Sequence, residues 1–394
     1  MGLKYAVLGA GRQGVAAAYD LARLGDATEV RLFDLSAEAA VKGAEKVNKL
    51  LQIQVVQGQA LDVKIPSALV TALRGIHSTI SAVPYKYNLE ITEAAIEAHT
   101  NICDLGGHTE TVRQQLALGD KAKAAGITIT PDCGMGPGLN INMGIRAMDY
   151  LDEPEDVYIW DGGLPQNPQP PWNYFLTFNL NGLINEYCGD AWVIRGGQPA
   201  QIPCLTEIET LEFPPPLGFM EAAITSGGLS TAPWTFQDKL RRLENKTLRY
   251  PGHWDQFKAF QSLGLFEQEE TKINGLSLVP RELLQTMLAP KITPQPPVYD
   301  VCLIRAQATG RLNGSHSSCT LDFLETYDIK TGFTAMEQIT GWHASIIAII
   351  AAQDKLPKGA VPVELALRGK MFDQEITRRG WELKREIFTS PVVP

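Results

Sequence analysis

The sequence predicts an α/β protein: a doubly wound parallel sheet interrupted by an inserted α+β domain whose sheet is largely antiparallel. Three observations carry this. Short apolar runs alternate strictly with helical patterns over the first third of the chain. A GxGxxG loop follows the first of those runs and opens the first helix. The alternation stops after Pro131, where proline clusters and a hairpin signal take over.

In the first third, residues 4–8 read as a strand, and residues 15–24 as a helix that stops at Gly25. A strand at 29–33 and a helix at 37–51 follow. The series continues with a strand at 53–57, a short helix at 66–73, a strand at 78–82 and a helix at 89–98. It closes with a strand at 102–105, one helix over 110–125 and a strand at 127–130. Loops this short between unlike elements imply parallel strands with helices on both faces. Beyond Pro131, β-rich segments at 157–160 and 192–195 lie between proline clusters. Residues 298–312 and 315–327 flank Asn313-Gly314, the preferred pair for a type I′ hairpin. Residues 334–352 are apolar on most faces and predict a buried helix. A short strand near 361–365, a helix near 371–379 and a strand at 381–387 complete the tail. The expected division is 1–135 plus about 335–394 for the first domain and about 136–334 for the second.

The loop Gly9-Ala10-Gly11-Arg12-Gln13-Gly14 carries a definite mechanism. The first glycine makes the tight turn, the second admits a pyrophosphate, and the third lets the helix pack on the strand. The helix N-terminus then offers N–H donors and a positive dipole end. Asp34 stands twenty residues after Gly14, at the end of the second strand, where a carboxylate binds the adenosine ribose. It would repel a 2′-phosphate, and no Arg stands at 35 or 36, so the expected cofactor is NAD rather than NADP. In such doubly wound sheets ligands lie at the carboxyl ends of the strands. Asp62 and Val63 are expected beside adenine. Ala82, Val83, the Leu105-Gly106-Gly107-His108 turn and the loop from Cys133 to Gly138 are expected along the crevice.

Composition excludes several classes. The net charge of −9 argues against a nucleic-acid partner or a polybasic membrane surface. The longest apolar run, residues 346–352, is far below the roughly 20 residues that span a bilayer, so no membrane association is expected. Six scattered cysteines without CxxC read as reduced thiols of a cytoplasmic protein, and no secretory signal is read at the start. No cluster has metal-ligand spacing.

Several segments carry a family resemblance. They are the GAGRQG loop with Asp34, Asp104 to His108, Pro131-Asp132 with the turn at 136–138, and Gly162-Gly163 with the following prolines. Thr225 to Gly228 and Leu243 to His253 extend it. The chain resembles the saccharopine dehydrogenase superfamily and, within it, the NAD-dependent lysine 6-dehydrogenases. The resemblance implies a split Rossmann domain and a homo-oligomer, a dimer or larger. It also implies an amino acid or amine as substrate, with oxidative deamination of the lysine ε-amine. A saccharopine- or opine-type reductase joining an amine to a 2-oxoacid is the second reading, and a non-catalytic NAD-binding regulator the third.

Amine oxidation needs a neutral amine, so a base or an alkaline optimum is expected. His108, just past a strand end at the crevice mouth, is the first candidate for acid–base work, with Asp104 orienting it and Thr109 capping the next helix. The basic stretch from Lys239 to Arg249 is expected to hold the substrate carboxylate. Alternation puts Lys246 and Arg249 on opposite faces of a strand, and the choice falls on Lys246 with Tyr250, with Arg249 as substitute. Tyr174 and His253 are expected to line the same cleft, while His343 in an apolar helix reads as a core histidine.

Overall fold

The computed structural model describes residues 2–390. Its first domain is built from β1 (Leu3–Leu8), α1 (Arg12–Leu24), β2 (Ala27–Asp34), α2 (Ala37–Leu51), β3 (Val56–Ala60) and α3 (Pro66–Leu73). It continues through β4 (Ser78–Ser81), α4 (Asn88–Ala98), β5 (Asn101–Asp104), α5 (Thr109–Leu116), α6 (Gly119–Ala125) and β6 (Thr128–Thr130). These strands pair in parallel in the order β6-β5-β4-β1-β2-β3. The order reverses between β1 and β4, and that switch point opens the ligand crevice at the strands' carboxyl ends. Tyr5 to Leu8 of β1 are completely buried, as a central strand covered on both faces requires.

The second domain runs from α7 (Leu139–Met148) and β7 (Glu153–Pro165) through α8 (Leu180–Glu186), β8 (Asp190–Arg195), β9 (Gln198–Pro203), β10 (Glu209–Phe213) and β11 (Gly218–Ile224). After α9 (Ala232–Thr235) come β12 (Arg242–Arg249), α10 (His253–Ser262), a small hairpin of β13 (Thr271–Ile273) and β14 (Leu276–Leu278), and α11 (Pro280–Ile292). The long hairpin of β15 (Asp300–Leu312) and β16 (Ser315–Thr326) follows. Asn313 and Gly314 at its tip both have positive φ, 52° and 78°, as a type I′ turn demands. The tail holds α12 (Ala335–Ala352), β17 (Gly359–Ala360), α13 (Val363–Ala366), α14 (Gly369–Arg378) and β18 (Leu383–Thr389). The second sheet has nine strands along β10-β11-β12-β7-β15-β16-β18, with β8 and β9 attached to β12. Among the described residues only β12 and β7 are parallel neighbours in it.

The tail joins the two domains. α12 is buried along its whole length and lies against α1, with Trp342 stacked on Tyr19 at 6.1 Å. Thr334 and Glu337 close a reciprocal cap at its start, and the Asp300 carboxylate accepts from the Ala335 and Met336 N–H groups at 2.7 and 2.9 Å. β17 extends the parallel sheet beside β6, making it seven-stranded. β18 does not return to that sheet. It pairs with β16 in the second sheet, so the tail is divided between the domains rather than belonging to the first throughout. The expected strand at 361–365 is also displaced, because Pro362 leads directly into α13. The single helix read over 110–125 is two, broken before Gly119, whose missing side chain lets Ala360 of the β17 strand approach. His343 is wholly buried, its ring nitrogens 2.9 Å from the Cys133 carbonyl and 2.8 Å from the Asn142 side-chain oxygen. Among the described residues no helix is long and apolar enough to cross a membrane.

Candidate active site

The glycine loop is shaped by close approach. A Cβ at Gly14 would stand 1.8 Å from the Gly9 carbonyl oxygen, and one at Gly9 would stand 2.6 Å from the Ala82 carbonyl oxygen. A Cβ at Gly11 would meet nothing within 4 Å, so this side of the loop is open for a pyrophosphate at the α1 N-terminus. Asp34 braces the loop: its carboxylate accepts from Ala10 N at 2.8 Å and from Ser36 N at 2.9 Å. Arg12 reaches the second domain, donating to the Thr177 carbonyl at 2.6 Å and standing 3.7 Å from Glu337. Gln13 keeps a buried side-chain oxygen without a partner. Ala82 and Val83 lie half-buried beside Gly9, and Asp62 turns the chain after β3 by accepting from Lys64 N at 2.9 Å, with Val63 packed behind it. These groups fit a dinucleotide. A Gly14→Ala variant is expected to bind NADH at least tenfold more weakly, about 1.4 kcal/mol, in a fluorescence titration.

At the next strand ends the structure separates two residues read as a pair. Asp104 is buried, accepting from Gly106 N at 2.8 Å, Asp132 N at 3.1 Å and Gln115 Nε2 at 2.7 Å. It shapes the turn beneath Gly106 and, among the described residues, makes no hydrogen bond to His108. His108 is exposed, stacks on Tyr85 at 5.1 Å and is itself the N-cap of α5, where Thr109 was expected. Its ring sits at the mouth of a cleft of about 430 Å³, walled on the other side by Asn185, Cys188, Trp192 and Ser226.

A buried polar cluster lies on the inner face of the second sheet. Arg249, at the end of β12, is 2 % exposed. Its Nε donates to Tyr187 Oη at 3.0 Å and its Nη1 to its neighbour's carbonyl at 2.8 Å. Among the described residues it forms no ion pair. Burial works against its charge, but Tyr187, Tyr174 and Glu186 around it outweigh that, and the guanidinium stays protonated. Tyr174 stacks under it, the guanidinium carbon 5.0 Å from the ring, its buried hydroxyl without a hydrogen-bond partner among the described residues. Burial pushes that hydroxyl up to about 12. His253 is held by Tyr187 at 2.9 Å, and burial together with Arg249 lowers its pKa far below the ordinary value. It is therefore a neutral wall of the cluster.

Two carboxyls complete the set. Glu186, at the end of α8, is pushed up to about 8 by burial, against the pull of Arg249. Asp161 on β7 is 6 % exposed and accepts from Asn245 Nδ2 at 3.1 Å. Neither acid stands out in the sequence, where each is a lone carboxylate in an apolar setting. The pairing of Asp161 with Thr247, two residues before Arg249, is what sets Asp161 near the guanidinium.

Lys246 and Tyr250 fall on the other face of the same strand. Lys246 Nζ donates to the Glu207 carbonyl at 2.8 Å and pairs with Glu209 at 2.9 Å, while Tyr250 Oη donates to the Pro165 carbonyl at 3.0 Å among Trp160, Leu164 and Leu248. The preference for Lys246 over Arg249 is thereby corrected: strand alternation separates the two, and packing turns Arg249 inward. Among the described residues no group of three or more His, Cys, Asp or Glu is disposed to hold a metal ion.

A doubly wound domain with an open glycine loop, its crevice roofed by a second domain carrying a buried polar cluster, defines a dinucleotide-dependent dehydrogenase architecture. Residues 5–130 match the saccharopine dehydrogenase NADP binding domain and residues 134–379 the saccharopine dehydrogenase C-terminal domain. The chain belongs to the saccharopine dehydrogenase family. Its N-terminal third is thus the pyridine-nucleotide domain of that family of oxidoreductases. It is 20% identical over 277 residues to the NADP(+), L-glutamate-forming saccharopine dehydrogenase of Saccharomyces cerevisiae, covering 66% of this chain and 59% of that protein. It is 25% identical over 158 residues to the Schizosaccharomyces pombe enzyme of the same name, covering 38% and 34%. The matches thus span less than two thirds of these relatives. The solved apo structure of the L-Glu-forming saccharopine dehydrogenase from Saccharomyces cerevisiae superposes with a TM-score of 0.78, covering 98% of this chain and 100% of that one at 16% identity, a likeness of fold.

Proposed function

We propose that this chain is an NAD-dependent amine dehydrogenase that oxidises the side-chain amine of L-lysine or a close diamino acid. One observation carries the reading: the buried cluster holds one guanidinium without an ion-pair partner among the described residues, and two carboxyls, Glu186 and Asp161, beside it. A buried pocket must match the charges of what it binds, because each unpaired charge left inside is costly. One cation and two acids suit a ligand with one carboxylate and two amines. A saccharopine-like ligand, with its extra carboxylates, calls for several converging cations. The names of the yeast relatives favour that second reading, so the two must be separated by assay.

In the reaction proposed, R–CH2–NH3+, NAD+ and water give R–CHO, NH4+, NADH and H+, and the aldehyde cyclises on the free α-amine. Bound at the strand ends, the nucleotide supplies a hydride acceptor. Gly9, Gly11, Gly14 and Asp34 hold it, Arg249 fixes the α-carboxylate and Glu186 faces the α-ammonium. His108, outside this cluster, serves the mouth of the cleft.

The test is a screen of NAD reduction with lysine, ornithine, diamines and saccharopine at neutral and alkaline pH. NADH formation from lysine is expected, faster at alkaline pH, because the free ε-ammonium has a pKa of about 10.4. NADH oxidation that requires a 2-oxoacid, with no NAD reduction by simple amines, would install the saccharopine-type reading instead. Nucleotide binding without turnover in either direction would leave the regulator.

A further inference from the structure

Asp161 is held by two side-chain amides, Asn245 and Asn140. Its Oδ1 accepts from Asn245, while its Oδ2 faces the turn at 134–138, where a Cβ on Gly136 would stand 2.3 Å away. Gly136 is exposed, so this buried carboxyl lies just behind the wall of the crevice. That turn directly follows β6, one of the strands whose carboxyl ends form the nucleotide site. On the other side, Asp161 shares the inner face of the second sheet with Thr247 and Arg249. It therefore stands between the place where the nucleotide is held and the place where a substrate carboxylate is held.

The other candidate bases are placed differently. His108 is exposed and caps α5, His253 is tied to Tyr187, and Asp104 is buried beneath the turn at Gly106. Asp132 lies under the same turn, where a Cβ on Gly106 would stand 1.8 Å from its Oδ1. Glu186 lies at the Arg249 end of the cluster. The groups facing Asp161 are Asn245 and Arg249 from β12, Asn140 from α7, Glu186 from α8 and Cys302 from β15.

We infer that Asp161 is the general base that takes the proton from the reacting ammonium, beside the turn at Gly136. This rests on the amine-dehydrogenase reading above. The N–H bond breaks toward Asp161 Oδ2, and the nitrogen lone pair so freed becomes the C=N bond. The C–H bond electrons leave with hydrogen as hydride, which reduces NAD+. Water then adds to the iminium carbon and ammonia departs. Burial suits Asp161 to this work: it pushes the carboxyl up to about 6, toward the pKa of the amine it serves.

The experiment compares wild type with Asp161→Asn and Gly136→Ala on whichever substrate the wild type turns over. Steady-state rates are measured from pH 5 to 10, and substrate binding to the NADH complex by calorimetry. Asp161→Asn is expected to lower kcat at least about 100-fold, to keep the binding constant within about threefold and to lose the acid limb of the pH profile. Gly136→Ala, which crowds Oδ2 while leaving Asp161 in place, is expected to lower kcat in the same direction. This second variant decides the matter should Asp161→Asn fail to fold. An Asp161→Asn enzyme with more than a third of wild-type kcat and an unchanged profile overturns the assignment, as does a Gly136→Ala enzyme that works at the wild-type rate. If the wild type proves to need a 2-oxoacid, the lysine reading falls separately. The same two variants are then read in NADH oxidation, where the same carboxyl must return the proton.

Discussion

Arg249→Met is expected to raise the KM for the amino-acid substrate about a thousandfold. Burial opposes the Arg249 charge, but Tyr187, Tyr174 and Glu186 offset that, and in the empty protein the guanidinium has no ion-pair partner among the described residues. A substrate carboxylate gains its planar two-pronged partner from Arg249. Losing one partner of a buried charged pair costs 2–5 kcal/mol, and about 4 kcal/mol is three powers of ten in binding. Arg249→Lys should recover only part of this, because an ammonium does not reproduce the fork. Lys246→Met is the opposite case. Its ammonium bridges Glu209 and the Glu207 carbonyl on the far face, so its loss should lower the melting temperature and leave KM alone. Kinetics and thermal unfolding of the three variants separate the roles. A thousandfold KM effect at Lys246 rather than Arg249 would sink the proposed pocket.

That pair of residues shows where the sequence stops being readable. Alternation along 242–249 states that Lys246 and Arg249 point oppositely, but not which direction is inward. The inward side is chosen by the parallel pairing of β12 with β7, a contact across some eighty residues. The same pairing assembles Asp161 with Arg249, and nothing local marks it. Asp161 was visible only as the neighbour of Gly162-Gly163. The first domain was legible because its determinants are local: strand, glycine loop, helix and Asp34 lie within thirty-odd residues, and the spacing itself carries the geometry. Asn313-Gly314 was legible for the same reason. β18 was not, since a mostly exposed edge strand gives no burial pattern to say which sheet it joins. His108 displaced Thr109 as the cap because the extended backbone falls one residue earlier.

Asp34→Asn is expected to shift the ratio of kcat/KM for NADP to that for NAD by about a thousandfold toward NADP. Asp34 ends β2 with its carboxylate on the Ala10 and Ser36 N–H groups, at the rim where an adenosine ribose is bound. The chain that follows supplies no counter-charge. Leu35 is 75 % exposed, Ser36 caps α2 and Glu38 lies in the first turn of that helix. A 2′-phosphate placed there meets a carboxylate at close range, and two like charges about 4 Å apart at an effective dielectric near 20 repel by about 4 kcal/mol. The amide removes that repulsion and still offers an oxygen to the loop, so the fold of the glycine turn is spared. It also weakens the charge-assisted hydrogen bonds to the ribose hydroxyls, so NAD loses ground as NADP gains it. The N-terminal domain matches a model described as NADP-binding, and the yeast relatives carry NADP in their names. Cofactor choice is therefore the point on which this chain is proposed to depart from them. In this proposal one side chain, and not the fold, sets the departure. Steady-state kinetics with both nucleotides decide it: a wild-type enzyme that prefers NADP, or an Asp34→Asn variant with an unchanged ratio, refutes the role given to Asp34.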